Sequence, residues 1–134
     1  MIIGVGLDLE EVARFRRVLS LRPGMVEQVF TEEERRIHLA SPDPAVGLTA
    51  AFAMKEAAFK ALGQAWLESH LFWSDIELID PPTDPIPRIR LSGAAWARGE
   101  TLGVKRLVTH VEVSPEWVVA QVWLVGDESL GVLL

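Results

Sequence analysis

From Ala45 to Leu62 almost every position is apolar or small, and the only charges are Lys55, Glu56 and Lys60. A segment apolar around nearly its whole circumference predicts a helix inside the fold. Asp43 can cap it, Pro44 suits its first position, and Gly63 is the residue type expected at its end. Upstream, residues 2–9 alternate as a strand, with Val5, Leu7 and Leu9 on one face and Gly4, Gly6 and Asp8 on the other. The next helix is expected from about Glu10 to Leu19, burying Val12, Phe15 and Leu19. Thr31 followed by Glu34 reads as a capping box that opens a short helix ending near Leu39.

Beyond Gly63, the stretch from Gln64 to Trp73 fits a loop or a helical turn. Asp75 to Ile79 and Arg88 to Leu91 alternate as strands on either side of the proline-rich Pro81 to Pro87. Gly93 to about Thr101 predicts a helix. Val104 to Val113 and Trp117 to Val125 predict two longer strands, joined through Ser114, Pro115 and Glu116 as a hairpin. The apolar Ser129 to Leu134 would add an edge or an oligomer contact. Helices in the first half and strands in the second predict an α+β fold, a single domain over residues 1–134.

Composition narrows the function classes. With 134 residues, 49% of them hydrophobic, one core is affordable and two domains are not expected. The absence of cysteine excludes disulfides, thiolate metal sites and a cysteine nucleophile. A net charge of -6 argues against general nucleic-acid binding. The amino terminus starts as a strand and lacks the features of a signal peptide, and the late apolar run from Trp117 to Gly126 is too short for a bilayer. A cytoplasmic protein without a membrane segment is the expectation. The mean hydropathy of +0.23 and five tryptophans point to self-association.

Three places carry candidate chemistry. Glu56 and Lys60 lie one turn apart on the central helix, so they form either an ordinary ion pair or two walls of one site. Asp8 follows two glycines on a cleared strand face, where a ligand can approach closely, although Asp8 with Glu11 also fits a capping box. Arg14, Arg16 and Arg17, with Arg22 just beyond, form a local cationic patch. It is either a solvated face or a dock for an acidic partner. The acids Glu32, Glu33 and Glu34 suit a helix start better than a site.

Gly4-Val-Gly-Leu-Asp-Leu-Glu-Glu11, Phe30-Thr-Glu-Glu-Glu34 and Phe52-Ala-Met-Lys-Glu-Ala-Ala-Phe-Lys-Ala-Leu-Gly63 stand in a specific order. Asp75-Ile-Glu-Leu78 and Ala120-Gln-Val122 follow. Together they resemble the holo-[acyl-carrier-protein] synthase group of the 4'-phosphopantetheinyl transferase family, over almost the whole chain. The resemblance implies an antiparallel sheet with a long buried central helix, and Mg²⁺-dependent transfer of 4'-phosphopantetheine from coenzyme A to a serine of an acyl carrier protein. It implies a homotrimer with each site at a subunit boundary. Asp8 and Glu56 would hold Mg²⁺, Lys60 and Lys55 would bind the coenzyme, and Asp8, Glu56 and Lys60 would carry catalysis. Arg14, Arg16 and Arg17 would dock the carrier protein. Ala51 stands where the family usually has arginine, Asp84-Pro-Ile-Pro87 replaces a Gly-Lys-Pro turn, and His110-Val-Glu-Val113 replaces a Ser-x-Ser-His motif. These departures give the alternative expectation, a homologue that binds a carrier protein or coenzyme A without turnover.

Overall fold

The first strand, β1 (Ile2–Glu11), is bare on the face that carries Gly4 and Gly6, and there it receives the long helix α4 (Pro44–Ala61). A Cβ at Gly6 would lie 1.7 Å from the Ala57 carbonyl oxygen, and one at Gly4 would lie 2.2 Å from that of Ala61. No other residue permits this approach of helix to strand. The computed structural model describes residues 1–63, 72–81 and 83–127. Most of the stretch from Gln64 to Trp73, and the tail from Ser129 to Leu134, lie outside the described residues.

β1 pairs antiparallel with β5 (Trp117–Val125), which pairs antiparallel with β4 (Arg106–Val113), giving the strand order β1-β5-β4. A separate antiparallel pair is formed by β2 (Ile76–Leu78) and β3 (Ile89–Leu91). Among the described residues the α-helices are α1 (Val12–Leu21), α2 (Met25–Val29), α3 (Glu32–Leu39), α4 and α5 (Gly93–Leu102). The core lies between the sheet and α4, with Val118, Ala120, Val122 and Leu124 of β5 buried beneath the helix. This is the expected α+β arrangement around a buried central helix. No helix among the described residues is long and apolar enough to cross a membrane.

The ends of α4 follow the sequence signals. The Asp43 carboxylate accepts from the Ala45 amide at 3.2 Å, Pro44 opens the helix, and Gly63 beyond its end adopts a left-handed φ of 75°. The Thr31–Glu34 capping box also forms, with both reciprocal bonds at 3.1 Å. The expected start of the first helix is displaced. Backbone pairing with β5 holds Glu10 and Glu11 in the strand, opposite Val118 and Trp117, so α1 begins at Val12. Asp8 therefore lies four residues before the helix and caps nothing. Glu11 stands at the N-cap position without a side-chain capping bond.

An alternating strand ordinarily turns its large apolar side chains to the core. β1 does the opposite: Val5, Leu7 and Leu9 are 48%, 56% and 58% exposed, because the glycine face is the one against α4. A broad apolar face of the sheet is thereby turned away from the helix.

Glu34 does more than cap α3. It is fully buried and forms an ion pair at 2.6 Å with Lys55, which is also fully buried. The remaining Glu34 oxygen accepts from the Leu78 amide at 3.0 Å, and the Lys55 ammonium donates to the carbonyls of Trp73, at 2.9 Å, and Ile76. Burial pushes the Glu34 carboxyl up and the Lys55 ammonium down, and each partner's charge opposes the shift of the other. Nearby, the buried His38 donates from Nε2 to the Leu78 carbonyl at 3.3 Å. These bonds fasten α3, α4 and β2 together through polar atoms that no water reaches. Replacing Lys55 by Met leaves an uncompensated buried carboxylate, so Lys55→Met is expected to lose about 3–5 kcal/mol of unfolding free energy in urea. A loss below about 1 kcal/mol would show that the pair does not hold these elements together.

Candidate active site

Past Gly6, the next side chain on the helix-facing side of β1 is Asp8. It is only 7% exposed, and its Oδ1 accepts from the Lys60 ammonium at 2.9 Å. The same ammonium donates to the Leu7 carbonyl at 3.0 Å. Lys60 of α4 is thus joined to the strand and not to Glu56, one turn earlier, so the simple pair within the helix is not what forms. Asp8 Oδ2 is buried and has no hydrogen-bond partner.

Glu10 and Glu56 complete an acidic corner. Asp8, Glu10, Arg14, Phe52 and Glu56 all line one cavity of about 320 Å³, with Phe15 in its apolar wall. Glu56 is half-buried; burial first, then the Asp8 charge, raises its carboxyl pKa, and Lys60 opposes the shift. Glu10 is pushed up to about 8 by burial, by a hydrogen bond to Asp8 and by the charges of Asp8 and Glu56, with Arg14 pulling the other way. Three acids thus press on one another, with a protonated Glu10 the one carboxyl among them able to bond to Asp8, and each would gain from a nearby cation.

A hard divalent cation suits this corner. Asp8 and Glu56 supply carboxylate oxygens from two different elements, and the unpartnered Oδ2 is available to a ligand. No cluster of three or more His, Cys, Asp or Glu suited to a metal occurs among the described residues. Mg²⁺ does not require one, since it is commonly held by one or two carboxylates with the rest of its shell left to phosphates and waters.

Lys55 is one helical step from Glu56 and points elsewhere, into the Glu34 pair described above. The three arginines also part company. Arg14 lines the acidic cavity, Arg16 grips the Asp43 carboxylate with two bonds of 2.8 and 3.2 Å, and Arg17 is exposed on α1. Glu10 is the site residue that sequence reasoning missed. Its signal was its place two residues after Asp8, which shares a face only when the strand runs on to Glu11.

A larger groove, about 900 Å³, runs between the start of α4, the stretch around Pro81–Pro85 and the β4–β5 turn. Its lining includes the acids Asp43 and Glu112 and no lysine, arginine or histidine. Size alone does not make it the site, because the acidic corner beside Lys60 is where the charged chemistry gathers.

The family model of the 4'-phosphopantetheinyl transferase superfamily matches residues 4–121, a span that includes every one of these groups. The chain belongs to that family. This phosphopantetheinyl transferase family member is 36% identical over 126 residues to the holo-[acyl-carrier-protein] synthase of Streptomyces avermitilis, covering 94% of this chain and 98% of the relative. It is 35% identical over 127 residues to that of Salinispora arenicola, covering 95% and 99%. The crystal structure of holo-ACP-synthase from Plasmodium yoelii shares the fold, with a TM-score of 0.79 at 24% identity over 96% of this chain and 98% of that one. The holo-(acyl-carrier-protein) synthase of Bacillus anthracis, solved in complex with CoA (3',5'-ADP), has a TM-score of 0.75 at 26% identity over 95% and 99%. These likenesses bear out the family expected from the motifs, and with it the α+β fold.

The acidic corner sets a pH dependence of stability. Folded Glu10 keeps a proton that the unfolded chain releases, so between about pH 4.5 and 8 the folded state binds more protons. Stability from this group is full below that window and falls as pH rises through it. In buffer free of divalent cations, the thermal midpoint of the protein should drop from pH 5 to pH 8, and Glu10→Gln should flatten the drop. Equal slopes for the two proteins would mean that Glu10 is not held in this corner.

Proposed function

We propose that this chain transfers 4'-phosphopantetheine from coenzyme A to a serine hydroxyl of an acyl carrier protein. The observation that carries the reading is the corner where Asp8, held by the Lys60 ammonium, shares one cavity with Glu56. The seryl oxygen forms a new bond to phosphorus, the pyrophosphate P–O bond to 3',5'-ADP breaks, and the serine proton must go to a base. Asp8 and Glu56 would hold Mg²⁺, which when bound would supply charge neutralisation for the pyrophosphate. Lys60 uses two of its three donors on Asp8 and Leu7, leaving one for a phosphate oxygen. Glu56, half-buried in the cavity lining, can accept the serine proton. Phe52 and Phe15 give the cavity an apolar wall that limits water.

Arg14 and Arg17 extend this site toward an acidic partner, the carrier protein, and Arg16 supports them indirectly by fixing α1 to the cap of α4. The exposed sheet face of Val5, Leu7 and Leu9 continues across β5 through Trp117, which is 45% exposed, and supports assembly with further copies of the chain, a trimer by the family resemblance. The family likeness supports reading the reaction as part of fatty acid biosynthesis, in the cytoplasm.

The departures from the family pattern spare the acidic corner. Ala51 is fully buried in the core, and His110 and Val113 stand on opposite faces of β4, with His110 on the face turned away from α4. Incubating the protein with coenzyme A, Mg²⁺ and an apo-carrier protein should add the mass of one phosphopantetheine group to the carrier. Asp8→Ala or Glu56→Ala should slow this by at least about 100-fold. A carrier protein that is bound but never modified, at high enzyme concentration and with several carriers tried, would support the non-catalytic reading instead.

A further inference from the structure

A further cavity, of about 310 Å³, lies between β3, α5 and the segment Val104–Leu107 that leads into β4. It shares no lining residue with the acidic corner or with the larger groove. Ile89 and Leu91 of β3, with Val104 and Leu107, give it an apolar lining, and Trp96 of α5 stands beside them 56% exposed. Gly99 of α5 lines it as well. A Cβ there would meet only Leu91 Cδ1 at 3.7 Å and Val104 Cβ at 3.9 Å, both ordinary contacts, and Gly99 is not among the glycines with positive φ. Neither packing nor backbone therefore demands glycine at a helical position where alanine is the better helix former. What the missing side chain does is leave the cavity open.

The charges around this cavity run against those of the molecule. Arg90, Lys105 and Arg106 line it against one acid, Glu100, in a chain of net charge -6. Glu77 holds the Arg90 guanidinium. The Lys105 and Arg106 side chains are exposed and have no hydrogen-bond or ion-pair partner among the described residues.

We propose that this cavity binds a single-chain anionic amphiphile, a fatty-acid carboxylate, with its alkyl chain on the apolar lining and its head on Lys105 and Arg106. The proposal goes beyond the transfer reaction and does not depend on it. The volume stands near the lower end of small-molecule pockets, about 300–1,000 Å³, which suits one slender chain. Burying that chain against Leu91, Val104, Leu107 and the exposed Trp96 removes apolar surface of both partners from water. Apolar contact alone would take any head group. Lys105 and Arg106 add the preference, because a carboxylate accepts charge-assisted hydrogen bonds from ammonium and guanidinium donors, and a cationic head would meet like charge.

Isothermal titration calorimetry of the full chain with decanoate, decyltrimethylammonium and decyl maltoside, each below its micellar concentration, tests the proposal. Decanoate is expected to bind at one site per chain, at least about tenfold more tightly than the other two. Gly99→Leu, which fills the cavity, and the double variant Lys105→Glu with Arg106→Glu should each weaken decanoate by at least about tenfold, with circular dichroism showing an unchanged fold. Should Gly99→Leu fail to fold, the double variant decides alone, since both of its positions are exposed. Equal affinity for the three head groups overturns the proposal, because uptake would then need no cation. Absence of decanoate binding overturns it, and so does binding that the double variant leaves unchanged.

Discussion

The close approach of α4 to β1 decides where every other element can go. Backbone meets backbone at Gly4 and Gly6, with the Ala61 and Ala57 carbonyls directly above them, and the alanines of α4 keep its surface low enough to allow this. The first side chain beyond the two glycines is Asp8, so the strand delivers its carboxylate to the helix at the point where clearance returns. Glu56 and Lys60, one turn apart, meet it there. A methyl group at Gly6 would lift the helix and separate the carboxylate from the ammonium that holds it, so the packing and the chemistry have one cause.

The three charges of α4 show how a single helix divides its work by angle. Lys55 and Glu56 are about 100° apart on the helix surface, enough to send one inward and the other into the cavity. The Lys55 ammonium, paired with Glu34 and bonded to two carbonyls, secures α3 and β2 against the helix. With that side fixed, Glu56 and Lys60 are held against β1 by a rigid support. Desolvation works against the Lys55–Glu34 pair, and the surrounding backbone bonds offset it. It therefore specifies a position more than it adds stability.

Much of this was legible in the sequence, and the parts that were not share a physical reason. The limits of α4, the capping box at Thr31, the full length of β5 and the pairing of β4 with β5 all come from local signals: caps, proline, glycine and alternation. Asp8, Glu56 and Lys60 were legible because glycine-cleared strand and apolar helix each leave few polar residues to choose among. The true end of β1 was hidden, because pairing with β5, more than a hundred residues away, keeps Glu10 extended where local propensity favours a helix. Glu10 was missed as a consequence. Lys55 and Glu34 were misleading for a similar reason: the one was expected at the coenzyme and the other only at a helix start, until tertiary packing joins and buries both. Arg16 looked like its neighbours, and only the fold brings Asp43 beneath it.

The bare glycine face also explains why the apolar residues of β1 point away from the core. Since the helix takes the side of Gly4, Gly6 and Asp8, the alternation of the strand leaves Val5, Leu7 and Leu9 on the other side. Asp8 therefore sits between Leu7 and Leu9, with the acidic corner on one face of the strand and the apolar sheet surface on the other. The Leu7 carbonyl binds the Lys60 ammonium while its side chain stands on that surface. Any contact that covers Leu7 and Leu9 restrains the backbone segment that presents Asp8 and anchors Lys60. Assembly through this face would order the site from behind.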